Sequence, residues 1–345
     1  MSRTMLPPEW SAQSGVMITW PHAHSDWQGI LFDVEPVYVE LARHITRREK
    51  LLINCWDEAH AVHVKDRLHA GHADLGRVVL QCVPSNDTWT RDYGPLTVLE
   101  QDKPRLLDFI FNGWGNKFSA PLDDQVTRHL HEAGAFGAAP LSAIDLVLEG
   151  GSIEVDGRGS LLTTENCLLA PTRNPALSRA QIEAQLRDWF GVERILWLSR
   201  GHLVGDDTDS HIDTLARFCD AHTIAHVACD DPGDEHYGEL QQMEAELRAL
   251  RDYQGKPYRL VPLPWPAAKY DAEDGRRLAA SYANFLIING AVLVPTYDDP
   301  ADEETLRRLR SCFPERDVIG VPCLPLIRQN GSLHCITMQL PAGVL

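Results

Sequence analysis

Apolar residues along the chain fall into short runs of strand length and longer stretches of helical period, and the two recur in a fixed order. The plainest case surrounds Asn289-Gly290, where NFLIIN and AVLVPTY flank an Asn-Gly pair and predict a tight hairpin. After it, ADEETLRRLRSC carries acidic residues first and basic ones last, which predicts a helix, and DVIGVPC reads as a strand. This is a β-β-α-β unit. The same order recurs in SIEVDG and SLLTTEN, a hairpin around Gly157 and Gly159, then the Ser178-capped SRAQIEAQLRDWF, then RILWLS. It recurs again as TLARFCD, TIAHVAC, EHYGELQQMEAELRALRD and YRLVPLP. A fainter copy is PLTVLE, RLLDFIFN, a helix near 123–133 and DLVLE.

The two ends of the chain supply a further copy between them. SLHCITMQL reads as its C-terminal strand, and GVMITW, a helix over 35–47 and LLINCW complete it, with DEAHAVHVKDRLHAG and RVVLQCV as an extra helix and strand. Repeats at this period are best explained by stacked supersecondary units, so the expected fold is α/β, a closed five-bladed β/α propeller of pseudo-five-fold ββαβ modules. A doubly wound α/β sheet is the alternative that pattern alone leaves open. No Ser/Gly-rich linker or charge block divides the chain, which predicts a single domain over residues 1–345.

Composition narrows the function classes. A formal net charge of −17 disfavours nucleic acid and anionic membrane as partners and suits a cationic small molecule, although acidity also serves plain solubility. The start MSRTMLPPEWSAQ has no apolar core of a signal peptide, and no run of eighteen apolar residues occurs, so a cytoplasmic protein is expected. Eight cysteines without CxxC spacing suggest neither a zinc cage nor a disulfide framework.

Polar residues in otherwise apolar company stand just ahead of the first strand of each module. They are Asp92 in NDTWTRDYGP, Glu149 in VLEGGSIEVDG, His211 in GDDTDSHIDTLARF, Asn284 in SYANFLIING and Cys335 in GSLHCITMQ, separated by 57, 62, 73 and 51 residues. Equivalent positions of a ring point at its axis, so one fold would bring a thiol, an imidazole and carboxylates together.

These strings resemble those of the agmatine deiminase and bacterial peptidyl-arginine deiminase family, part of the guanidine-modifying pentein superfamily. The resemblance covers nearly the whole chain. It implies that Cys335 is the nucleophile, His211 the general acid and base, Asp92 and Asp213 the guanidinium clamp, and Glu149 a partner of His211 or of the substrate. It also implies that no metal or organic cofactor is needed, and homodimers are common in the family. The chemistry asks for these residue types: a planar guanidinium is held bidentately by carboxylates, and a free thiol, mostly protonated at neutral pH, needs a nearby cation to become a nucleophile.

Each candidate has a blander rival. A lone cysteine is usually a small buried hydrophobe, and it is the Gly331-Ser332 and His334 context that singles out Cys335. His334, adjacent on an expected strand, should face the other way. Asp206, Asp207, Asp209, His211 and Asp213 lack the spacing of a calcium loop; Asp207 is instead a candidate for the substrate's distal ammonium. Trp89 is expected to line the pocket, where cation–π contact is worth about 0.5–2 kcal/mol, with Trp114 as a second candidate. Arg91 should pair structurally with a carboxylate, and Gly150 and Gly151 should shape a tight turn rather than a phosphate loop. One departure is that IRQNGSLHC carries only Gly331 where many family members have a glycine-rich run.

Agmatine hydrolysis to N-carbamoylputrescine, a step of polyamine biosynthesis leading to putrescine, is thus the expected activity. Peptidyl-arginine or free-arginine deimination is the alternative, and amidino transfer would use the same cysteine. A non-catalytic binding module would need an interaction face and no such set of reactive residues.

Overall fold

The computed structural model describes residues 4–345. Its strands form two four-stranded and three three-stranded sheets, plus one two-stranded ribbon, in a mixed α/β fold. Each larger sheet repeats the unit read from the sequence. Ile153–Val155 runs antiparallel to Ser160–Thr164, the helix Arg179–Phe190 crosses over, and Arg194–Leu198 returns parallel to the second strand. The helix starts where expected, because Ser178 and Gln181 form a reciprocal capping box.

The same connection joins Ala216–Asp220, Thr223–Val227, the helix Tyr237–Ala249 and Arg259–Leu263. It also joins Leu286–Ile288, Ala291–Thr296, the helix Ala301–Cys312 and Asp317–Pro322. Asn289-Gly290 makes the two-residue turn of this hairpin, with Gly290 at φ 72° as such a turn requires. Leu96–Glu100, Lys103–Ile110, the helix Asp123–Glu132 and Leu141–Val147 complete the faint copy. The chain's two ends do share a sheet: Thr337–Pro341 lies antiparallel to Gln13–Thr19, which continues in parallel to Lys50–Cys55 and Val78–Cys82. The buried apolar side chains, Trp20, Tyr38, Phe136 and Phe218 among them, merge into one contiguous core.

Two expectations are corrected. The first long helix spans Leu31–Thr46 rather than starting at 35, so Pro36 lies inside it and the helix gives up one backbone donor there. SLHCITMQL is not a continuous strand: Leu333–Ile336 form a turn and the strand begins only at Thr337, so Cys335 sits on a turn and the alternation argument applied to His334 does not hold. Among the described residues no helix is long and apolar enough to cross a membrane.

Candidate active site

The five polar positions occupy the turn that leads into the first strand of each module. Asp92 stands on the one-turn helix Thr90–Tyr93, Glu149 precedes the turn Gly150–Ser152, and His211 precedes Ile212–Thr214. Asn284 lies just ahead of Leu286–Ile288, and Cys335 just ahead of Thr337–Pro341. These turns touch one another in sequence around a circuit. The Arg91 amide donates to the Cys335 carbonyl at 3.1 Å, and the Gly151 amide donates to Asp92 Oδ1 at 3.0 Å. Gly150–Ser152 packs on Ile212–Thr214. Asn284 Nδ2 then reaches the Asp213 carbonyl at 3.4 Å, and the His334 amide reaches the Asn284 carbonyl at 3.1 Å.

Gly151 shows how tightly the reactive groups converge. A Cβ at this residue would lie 2.6 Å from His211 Nδ1, 2.8 Å from Asp92 Oδ1 and 3.1 Å from Asp213 Oδ2. Only a residue without a side chain lets an imidazole and two carboxylates meet there. We expect Gly151→Ala to cost about 1–3 kcal/mol of stability through overpacking and to lower turnover by about 100-fold, because small displacements of reacting groups are felt at the transition state as well as in folding. Thermal melting run beside a steady-state assay checks both halves.

His211 is fully buried between acids, with Nε2 3.4 Å from Glu149 Oε2 and Nδ1 3.6 Å from Asp92 Oδ1. Burial pushes its pKa down, but Asp92, the Cys167 sulfur and Glu149 outweigh burial and hold it well above the ordinary histidine value. It is therefore an imidazolium at neutral pH. Glu149 is fixed from its other side by Arg173 Nε at 3.0 Å; burial raises its pKa, and His211 and Arg173 more than reverse this. Asp92 accepts from Trp114 Nε1 at 2.9 Å, while burial pushes its pKa up to about 6 against the pull of His211. Trp114 holds this contact from a strained loop, at φ 54°.

Cys335 is buried, and Asn284 Nδ2 donates to its sulfur at 3.2 Å. Its Sγ lies 3.7 Å from Asp213 Oδ2. Burial first, then the Asp213 and Asp92 carboxylates, keep the thiol well above its usual range, so it rests protonated. Asp213 is connected to His334 Nδ1 at 2.7 Å, and its Oδ1 is buried with no partner. Burial raises the Asp213 pKa, and His334 and His211 bring it below normal.

A cleft of about 400 Å³ leads to Cys335. Trp89, Trp114, Gly331 and Asp207 line it, and Asp207 Oδ2 accepts from Asn330. A Cβ on Gly331 would lie 2.2 Å from the Trp89 ring, so this glycine is what lets the indole lie flat along the wall. Asp26, Asp87 and Phe118 also line the cleft and went unread in the sequence. Asp87, its pKa pushed up to about 6 by burial, sits inside the very string NDTWTRDYGP that pointed to Asp92. Cys167 and Arg173, which meet Glu149, gave no signal, since nothing in their spacing relates them to it.

Two clusters have donors suited to a metal among the described residues: Glu149, Cys167 and His211, and Glu9, Glu154 and His334. Arginine already engages each one, Arg173 on Glu149 and Arg217 on both Glu9 and Glu154. The acidic run near His211 is not a cation loop either, for Asp206 caps Thr208 and Ser210 while Asp209 pairs with Lys117 and Arg173.

Residues 5–341 match the family model described as Porphyromonas-type peptidyl-arginine deiminase. The agmatine deiminase of Stutzerimonas stutzeri is 36% identical over 98% of this chain and 95% of its own. A cysteine-to-serine variant of the C. jejuni agmatine deiminase, solved with substrate bound, superposes with a TM-score of 0.92 at 39% identity, covering 100% of this chain and 98% of that one. A Porphyromonas gingivalis protein provisionally named an arginine deiminase superposes at 0.92 with 48% identity over 99% of both chains. With a family match that runs nearly end to end, this chain belongs to the Porphyromonas-type peptidyl-arginine deiminase family.

Proposed function

We propose that the protein hydrolyses agmatine to N-carbamoylputrescine and ammonia through a covalent cysteine intermediate. One observation carries the choice of substrate: four aspartates, Asp26, Asp87, Asp92 and Asp207, line the cleft to Cys335, and no lining residue is cationic. Agmatine is a cation at both ends. Free arginine would bring a carboxylate to the acidic mouth, and a peptide would need a wider approach. The curated and the solved relative named as agmatine deiminases support the reading.

In this reading Asp92 and Asp213 hold the guanidinium, and its arriving charge stabilises the Cys335 thiolate that the empty acidic site disfavours, the thiol proton passing to solvent because His211 is already protonated. The sulfur attacks the guanidinium carbon. The tetrahedral adduct expels ammonia with a proton from the His211 imidazolium, leaving an amidino-cysteine; neutral His211 then activates water, and collapse of the second adduct frees the ureido product and the sulfur. Glu149 orients His211, Asn284 steadies the sulfur, Trp89 covers the aliphatic chain, and Asp207 with Asp87 meets the distal ammonium. The circuit of contacts among the five turns supports closure of the sheets into the five-bladed propeller, as one unit over residues 1–345. All eight cysteines stand as free thiols, which supports a cytoplasmic setting for this polyamine-forming step.

Turnover of agmatine, free arginine and a blocked arginine peptide, followed by ureido product, tests the reading. Agmatine should be strongly preferred; equal turnover of the peptide overturns the substrate. The pH dependence is a second test. Asp92 clamps a cation only when ionised, so kcat/KM should fall as pH drops through about 6, its raised pKa, and a plateau extending to pH 4 would contradict the clamp.

A further inference from the structure

His334 and Glu9 have no part in the chemistry above, yet they form a buried chain that ends on it. His334 is 1% exposed. Its Nδ1 lies 2.7 Å from Asp213 Oδ2, and its Nε2 lies 2.7 Å from Glu9 Oε1. Glu9 comes from the N-terminal segment, far from this turn in sequence, and is itself held by Arg217, by Arg91 at 3.3 Å and by Gln339 Nε2 at 2.7 Å. The ring is thus anchored at both nitrogens, on the Glu9 side to a carboxylate that cannot shift without disturbing two arginines.

Asp213 is where this anchoring matters. Its Oδ2 takes the His334 contact and faces the Cys335 sulfur, while Oδ1 is left buried and without a partner. A carboxylate free to rotate would exchange the two oxygens and lose this distinction. We propose that His334, braced by Glu9, is a positioning residue for the deiminase reaction: it locks the Asp213 carboxylate so that one oxygen addresses the nucleophile and the other receives a guanidinium N–H. Groups that hold a metal-ligating side chain in place typically change affinity or activity by about 10–100-fold when removed, and a loss of the same order is expected for an orienter of Asp213.

The inference rests on Asp213 acting as the guanidinium clamp for agmatine, and the experiment separates the two. Steady-state kinetics with agmatine and melting temperatures are measured for the full chain and for His334→Ala, His334→Asn and Glu9→Gln. An asparagine amide can replace Nδ1 as donor to Asp213, and glutamine keeps an acceptor for Nε2. His334→Ala should lower kcat/KM by about 100-fold with KM raised by at least about tenfold; His334→Asn should recover most of the loss, and Glu9→Gln should fall between. A purely structural His334 would lower kcat and melting temperature together and leave KM unchanged, and that pattern, or parity of all three variants with wild type, overturns the inference. Should His334→Ala fail to fold, the KM of His334→Asn and Glu9→Gln decides in the same way. Wild-type protein inert toward agmatine would instead overturn the function reading.

Discussion

Cys335→Ala is expected to leave no measurable agmatine turnover while the protein melts near the wild-type temperature. Among the described residues that line the cleft Cys335 carries the only thiol, and in the proposed mechanism its sulfur attacks the guanidinium carbon. Its surroundings are built for a charge that appears only with substrate: burial and two carboxylates favour the thiol, and Asn284 offers a donor to the sulfur. Removing one Sγ from a site that contacts polar groups on most sides leaves a small cavity, so the cost to folding should stay near about 1–2 kcal/mol. Hydroxyl in place of thiol fails for a different reason, since an alcohol is far less acidic and the same cation cannot generate the alkoxide at neutral pH. Residual turnover in Cys335→Ala above the uncatalysed background would mean that water attacks directly, and the covalent route would fall.

The same site shows what was legible beforehand. Asp92, Glu149, His211, Asn284 and Cys335 could be picked out because the modules repeat, so that equivalent turns carry equivalent positions. The sheets bear this out strand by strand. Contacts that the repeat does not carry leave no such trace. Arg173 on Glu149, Cys167 beside it and Glu9 on His334 join segments whose separation follows no period. His334 was discounted by strand alternation, which holds only where there is a strand, and the turn at Leu333–Ile336 places both His334 and Cys335 on Asp213. The start of the first long helix was also missed: it reaches back to Leu31, with Pro36 inside it.

Replacing His211 should separate the two halves of the reaction. In the proposed mechanism the imidazolium that Asp92 and Glu149 maintain supplies the proton for ammonia and, once neutral, is the base for water. His211→Asn removes both functions. A positioned proton transfer contributes about 10²–10⁴-fold, so overall turnover should fall by about that factor or more. The steps do not suffer equally. Ammonia can still depart slowly with a proton from solvent, in competition with loss of the sulfur back to bound agmatine; hydrolysis of the amidino-cysteine needs an activated water and stalls. Mass spectrometry of the variant quenched after mixing with agmatine should therefore show Cys335 carrying the substrate-derived amidino group, at levels absent from wild type. An unmodified cysteine together with wild-type turnover would remove His211 from the mechanism. An unmodified cysteine with turnover lost would place its main role in the first half, as the acid without which the first adduct reverts to bound agmatine.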